Sequence, residues 1–300
     1  MPNLGIAGYY KLIIRDKDSH EPRQVIDWFP NLITDIGMDR LGTDGLGGQY
    51  CGLGSGTTAP SILDTGLQSP VGVKRSVTSS TYGAVTSVPY YGWKKLQWDF
   101  TPGQVTGNLS EITVSWNNDN TSAFSRTLIT ENGSPITISV LANDYLTVIY
   151  EFRVYPVTTD SSATPTIGGI EHACVIRASE INNAAWTGQW ALSYGMTFST
   201  SSTNTLKTFA SDIGTIFTEP AGSSQSSTIR TLDSYVPGSY SRTCTYPFTV
   251  NQGNHSGGID SVKVETAYGA WQVSFVPPIM KDINKTMNLR FTVTWARYTP

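Results

Sequence analysis

The chain has 300 residues with 39% hydrophobic content, enough to bury one large core or two smaller ones without metal or disulfide support. Charged residues make up only 14%, below the roughly 25% of an ordinary soluble protein, which points to a β-rich, turn-rich chain with a largely neutral polar surface. With 20 basic and 23 acidic residues the net charge of -3 gives no electrostatic footprint for nucleic acid, and no apolar run approaches a membrane span.

Along the chain, the opening "MPNLGIAGYYKLIIRD" lacks the basic and continuous apolar regions of a secretion signal, so synthesis and folding in a cytoplasm are expected. Within it "YYKLIIRD" alternates Tyr10, Leu12 and Ile14 and reads as a strand. His20, in "RDKDSHEPR", reads as a turn residue. "PNLITDIGMDRLG" predicts a short helix that begins near Pro30, gathers Leu32, Ile33, Ile36 and Leu41 towards one side and stops at Gly42.

Glycine then dominates up to "YCGLGSGTTAPS", where Gly52, Gly54 and Gly56 recur at every second position. This is too tight for a dinucleotide-binding loop, and Thr57 and Thr58 stand where a phosphate loop would need lysine. Close backbone approach is the expected use of these glycines. Ser55 is followed by no helix, so it is no nucleophile elbow.

The second half of the chain laid over the first gives an approximate repeat. "LQWDFT" at 96 to 101 matches "CTYPFT" at 244 to 249, aligning Leu96 with Cys244, Trp98 with Tyr246 and Phe100 with Phe248. "NLSEITVS" matches "GIDSVKVE", aligning Leu109, Ile112 and Val114 with Ile259, Val262 and Val264. Each half closes on a long alternating strand, one presenting Val148, Tyr150, Phe152 and Val154, the other Leu289, Phe291, Val293 and Trp295. Such strands need a second sheet to cover their apolar side. The expected fold is all-β: an irregular segment 1–79 with a short helix, a β-sandwich-like domain over 80–156, a Ser/Thr-rich linker 157–168 and a related domain over 169–300.

Residues with chemistry are scattered. "WNNDNTSAF" at 116 to 124 lacks a terminal bidentate glutamate and reads as an Asn-rich hairpin turn rather than a calcium loop. Glu111, Asp119, Glu151, Asp260 and Glu265 are available in principle for glycoside hydrolysis, but Glu111 alternates with Ile112 and is expected on a solvated sheet face. His172 is expected to pack beside Cys174 on a strand, and His255 to sit solvated in a hairpin tip. Trp186 and Trp190 around Gly188 suit a core, a subunit interface or a sugar-stacking surface. Cys51, Cys174 and Cys244 form no close pair and read as buried free thiols. No catalytic residue, cofactor or metal site is expected.

"WFPNLITDIGMDRLG" followed by "CGLGSGTTAPSILDTGL" resembles the N-terminal region of structural proteins of tailed bacteriophages. "FSRTLITENGSPITISVLANDYLTVIYEFRVYP" and "FVPPIMKDINKTMNLRFTVTWARY" are similar to later strands of such chains. The resemblance implies a virion component of the tail, fibre or collar, in which Gly52, Gly54, Gly56, Thr57, Asp64 and Thr65 form a structural turn. It also implies a homo-oligomer, a trimer by analogy with phage fibres, contacting other tail or head-tail connector proteins, with a host-surface glycan as the alternative partner.

Overall fold

The computed structural model describes residues 3–182, 195–196, 206–227 and 229–298. Alternation of apolar and polar residues makes one-faced strands, and apart from one helix the regular structure among the described residues is β. β1 (Asn3–Arg15) buries Leu4, Ile6, Tyr10, Leu12 and Ile14, and β2 (Pro22–Pro30) folds back along it. β3 (Leu32–Ile33) leads into α1 (Asp35–Thr43). The helix begins after Pro30 because Thr34 is its cap: the Gly37 N–H donates to Thr34 Oγ1 at 3.0 Å. Met38 and Leu41 are its buried apolar residues, with Ile36 only half-buried. Gly42 does not stop it. A Cβ there would lie 2.3 Å from the Tyr235 ring, so this glycine makes room for that ring and the helix runs on to Thr43.

β4 (Tyr50–Gly54), β5 (Pro70–Ser76), β6 (Ser79–Val85) and β7 (Tyr91–Phe100) follow. Next come β8 (Gly107–Leu109), β9 (Glu111–Ser115), β10 (Ala123–Leu128), β11 (Thr130–Glu131), β12 (Ser134–Pro135), β13 (Ile138–Val140) and the long β14 (Tyr145–Pro156). The rest of the chain contributes β15 (Ser161–Ala163), β16 (Thr166–Ile167), β17 (Ile170–Glu171), β18 (Cys174–Ala178), β19 (Lys207–Phe209) and β20 (Gln225–Ser226). It ends with β21 (Thr231–Leu232), β22 (Ser241–Phe248), β23 (Ile259–Thr266), β24 (Gly269–Ile279) and β25 (Met287–Arg297).

Three sheets carry the core. An eight-stranded sheet runs β21-β22-β25-β1-β14-β7-β6, with β2 added on β1. A five-stranded sheet, β3-β10-β9-β4-β5, faces its first-half side, where Tyr10 OH and Ser125 Oγ bond at 3.0 Å and the Phe124 and Phe152 rings lie 6.0 Å apart. A six-stranded sheet, β15-β18-β24-β23-β19-β20, faces the other side, with the Trp271 and Phe291 rings 6.3 Å apart. All the residue pairs aligned in the repeat are buried. The aligned strands also hold matching places. β7 pairs with β14 and β22 with β25 in the large sheet, whereas the hairpins β9–β10 and β23–β24 lie in the two smaller sheets.

The N-terminal segment is not an irregular appendage. β1 lies inside the largest sheet, antiparallel to β14 from Leu4↔Pro156 to Arg15↔Tyr145 and parallel to β25 from Asn3↔Thr294 to Ile6↔Arg297. Its buried stripe has a long apolar strand beside it on the first-half side and a second one to bridge to, which pulls it into the core. Helix α1 is likewise held from the second half: Tyr235 OH donates to Asp39 at 2.6 Å, Tyr240 OH to Asp35 at 2.9 Å and Trp295 Nε1 to the Met38 carbonyl at 3.0 Å. One sheet therefore crosses the expected linker 157–168, which itself supplies β15 to the six-stranded sheet.

Candidate functional site

The glycine-rich stretch ends β4 and enters a loop, residues 55–69, that returns as β5. β4 lies beside β9 with Gly52 opposite Thr113 and Gly54 opposite Glu111. On a pleated strand these glycines share one face, so the face is bare backbone. Glu111 lies across it: a Cβ on Gly54 would stand 2.4 Å, and one on Gly56 2.5 Å, from Glu111 Oε1. At Gly52 a Cβ would meet Lys74 at 3.0 Å and Leu67 at 3.2 Å, both of which cover the same face.

The loop closes on that carboxylate. Glu111 Oε1 accepts the N–H groups of Ser69 at 2.8 Å and Gly56 at 3.2 Å, while Oε2 accepts Gln68 N–H at 3.1 Å and Arg126 Nε at 2.7 Å. Arg126 Nη1 donates to Asp64 Oδ2 at 2.7 Å and Nη2 to the Thr58 carbonyl at 2.9 Å. Asp64 Oδ2 also takes the Ser61 N–H at 2.8 Å, closing a local turn. Glu111 and Arg126 are both 0% exposed. The backbone N–H groups of the glycine-rich loop hold the protein's own carboxylate.

Four donors fill the acceptor capacity of the Glu111 carboxylate, and a guanidinium balances its charge. A carboxylate so engaged has no lone pair free to take a proton from a substrate. What the arrangement does is fix the path of residues 55–69. The expectation of a solvated Glu111 is corrected here, because the loop folds over the sheet face that alternation left polar. Of the other turn residues, Thr65 accepts the Ala123 N–H through its carbonyl at 2.9 Å, and Thr57 is exposed. The Asn-rich hairpin supplies a clamp the sequence reading missed: Asn120 accepts Leu67 N–H and donates to Leu67 O, each at 2.8 Å. Its signal was Gly66, where a Cβ would fall 2.0 Å from the Asn120 carbonyl.

The second half has a counterpart. In register, Gln272 faces Lys263 as Arg126 faces Thr113. Gln272 is also 0% exposed and holds the loop between β19 and β20: Oε1 accepts Gly214 N–H at 2.7 Å and Nε2 donates to Thr215 O at 2.8 Å. Beside it Lys263 binds Glu265 at 2.8 Å and Glu219 at 3.0 Å and touches Glu180. Burial works against the Lys263 charge, but the carboxylates of Glu180, Glu265 and Glu219 outweigh it and raise its pKa. Burial likewise opposes ionisation of Glu219, yet Lys263 and Lys207 hold its carboxyl below the usual range.

The remaining candidates stand apart. Glu151 is paired with Arg153 at 2.6 Å and Lys95 at 3.1 Å, and Asp119 accepts Thr121 N–H in the exposed hairpin. His172 is buried and its Nδ1 donates to Pro277 O at 2.6 Å. His255 is half-buried rather than solvated: its Nε2 bonds Thr208 Oγ1 at 2.9 Å, and burial lowers its pKa. The three cysteines are buried and free. Trp186 and Trp190 lie outside the described residues. Among the described residues no group of three or more His, Cys, Asp and Glu is arranged to hold a metal, and no helix is long and apolar enough to cross a membrane. Comparison with family models, curated proteins and solved structures finds no match.

Proposed function

We propose that this chain is a non-enzymatic structural protein of a tailed-bacteriophage virion, forming or anchoring a tail fibre or a head-tail collar appendage. The observation that carries the reading is the use made of the ionic groups: buried Glu111 and Arg126 and part-buried Asp64 are consumed in fixing a loop. A particle component needs rigid surfaces of this kind, because each contact is repeated around a symmetry axis. The resemblance of residues 28–42, 51–67, 124–156 and 275–298 to phage structural chains points the same way. The fold is read as two related β-sandwich-like units, with β1 as the strand common to both. In support, β3-β10-β9-β4-β5 and β18-β24-β23-β19-β20 share one strand order.

Function then lies in assembly: identical copies, three in the favoured arrangement, seated on other tail or connector proteins. Mass spectrometry of purified particles, followed by electron microscopy to place the density, tests this. Stoichiometric presence in the virion is the expected result. Absence from particles, or release of reducing ends from host polysaccharide by the purified chain, overturns it.

A further inference from the structure

The loops that follow β4 and β19 carry the same four-residue turn. In Ser61–Asp64 the Leu63 N–H donates to Ser61 Oγ at 3.2 Å, the Asp64 N–H to Ser61 O at 3.0 Å and the Ser61 N–H to Asp64 Oδ2 at 2.8 Å. In Thr215–Thr218 the Phe217 N–H donates to Thr215 Oγ1 at 3.3 Å, the Thr218 N–H to Thr215 O at 3.2 Å and the Thr215 N–H to Thr218 Oγ1 at 3.0 Å. The second carbonyl is gripped in each turn, Ile62 O by the Asp35 N–H at 2.7 Å and Ile216 O by the Ile181 N–H at 3.0 Å. Leu63 and Phe217 are therefore counterparts, each at the tip of a turn held by its own side chains.

Their surroundings differ. The Phe217 ring meets the Tyr90 ring edge-on at 5.8 Å, a contact from one half of the chain to the other, and Phe217 is 41% exposed. The offset that aligns Leu96 with Cys244 also sets Val88-Pro89-Tyr90 on Val236-Pro237-Gly238. Glycine thus stands where the covering tyrosine stands in the other half. Gly238 does reach α1, its N–H donating to Asp39 at 2.6 Å, one helical turn from the Asp35 that holds Ile62. Without a ring at that position, Leu63 is left 75% exposed.

A large apolar side chain fixed in water by a rigid turn has the form of an interface anchor, because little entropy is lost when a partner covers it. Residues 57–63, 86–90 and 213–218 include no charged side chain, so pressing these segments together strands no ion. What covers such a turn is already on display: within the chain it is Tyr90, beside Val88, which is 80% exposed. A second copy brings the same ring together with Phe217.

We propose that copies of this chain associate head to tail, the Leu63 turn of one copy receiving the patch of Phe217, Tyr90 and Val88 on the next. The two patches differ, so the contact is heterologous and repeats into a closed ring or a filament. The proposal rests on the reading that identical copies assemble and supplies the surfaces that join them.

Sedimentation velocity of the purified full chain is expected to show self-association in the micromolar range. Leu63→Glu and Phe217→Asp each alter an exposed side chain and should leave the thermal midpoint in place while weakening self-association at least about tenfold. Should Phe217→Asp lose stability through its contact with Tyr90, Val88→Asp disables the same patch. Mixed in equal amounts, the Leu63 and Phe217 variants keep one intact patch each, of opposite kind, and should form a pair that grows no further. Wild-type chain that stays monomeric at about 100 µM overturns the proposal, as does either variant associating as tightly as wild type. A mixture that stays monomeric overturns it too, because only a heterologous contact is restored by mixing. A chain found in particles that fails these tests leaves the virion reading standing, and one absent from particles that passes them loses that reading alone.

Discussion

The loops at 55–69 and 210–224 follow β4 and β19, each of which lies between an inner hairpin strand and the edge strand of its sheet, and both are tied down, but by different chemistry. Thr34 N–H donates to Phe124 O and Ser179 N–H to Ala270 O; Asp35 N–H reaches Ile62 O and Ile181 N–H reaches Ile216 O. Below the first loop the pin is an ion pair, Arg126 on Glu111, both fully buried. Below the second it is the neutral amide of Gln272, with the charges set beside it on buried Lys263 and its partly exposed carboxylates. A loop's backbone needs donors and acceptors beneath it, and either a charged or a neutral side chain provides them. The difference appears when one partner is removed, because a buried carboxylate left alone costs far more than an unfilled amide site.

That contrast sets the order of expected effects. Arg126→Ala strands Glu111 without a counter-charge and should cost about 3–5 kcal/mol in urea unfolding. Adding Glu111→Gln should recover part of it, and strict additivity of the two changes would show that the pair is not coupled. Gln272→Ala leaves Gly214 N–H unpaired and takes one of its two donors from the Thr215 carbonyl, and should cost about 1–3 kcal/mol, measurably less than Arg126→Ala. If the two losses were equal, the distinction between charged and neutral pins would be empty.

Gly56→Ala drives a methyl to 2.5 Å from Glu111 Oε1 and 2.8 Å from the Gln68 side chain. It should cost about 1–3 kcal/mol, with faster deuterium uptake confined to 55–69.

The smallest effect is one of pH and belongs to the second loop. Because the Glu219 carboxyl is depressed from its ordinary 4.5, its contribution is present above that value and is lost as pH falls through the lower folded value. Lys263 is raised from 10.5, so its contribution is complete below that value and is lost as pH climbs through the higher folded one. Uptake at 210–224 should therefore quicken as pH falls below 4.5 and again in strong alkali, and Glu219→Gln should flatten the acid limb. An unchanged acid limb in that variant would remove Glu219 from the account.

By itself the sequence determined which faces are apolar. Period-two alternation marked Tyr10, Leu12 and Ile14, and the paired positions Leu96 and Cys244, Trp98 and Tyr246, Phe100 and Phe248, as interior, and all of them are buried. It also marked the alternate glycines as a place of close approach, since a bare strand face has few other uses. What it left open is what lies against each face. Glu111 alternates with Ile112 like any solvated strand residue, and only the return of residues 55–69 over that face makes it interior.

The place of β1 was out of reach for a related reason. Its stripe states that it needs a partner, but pairing with β14 and β25 is chosen by the global arrangement of edges, across most of the chain length. Local pattern encodes the surface energy of a single strand, whereas the choice of neighbour depends on all the edges competing for it, and that is settled only when the sheets come together.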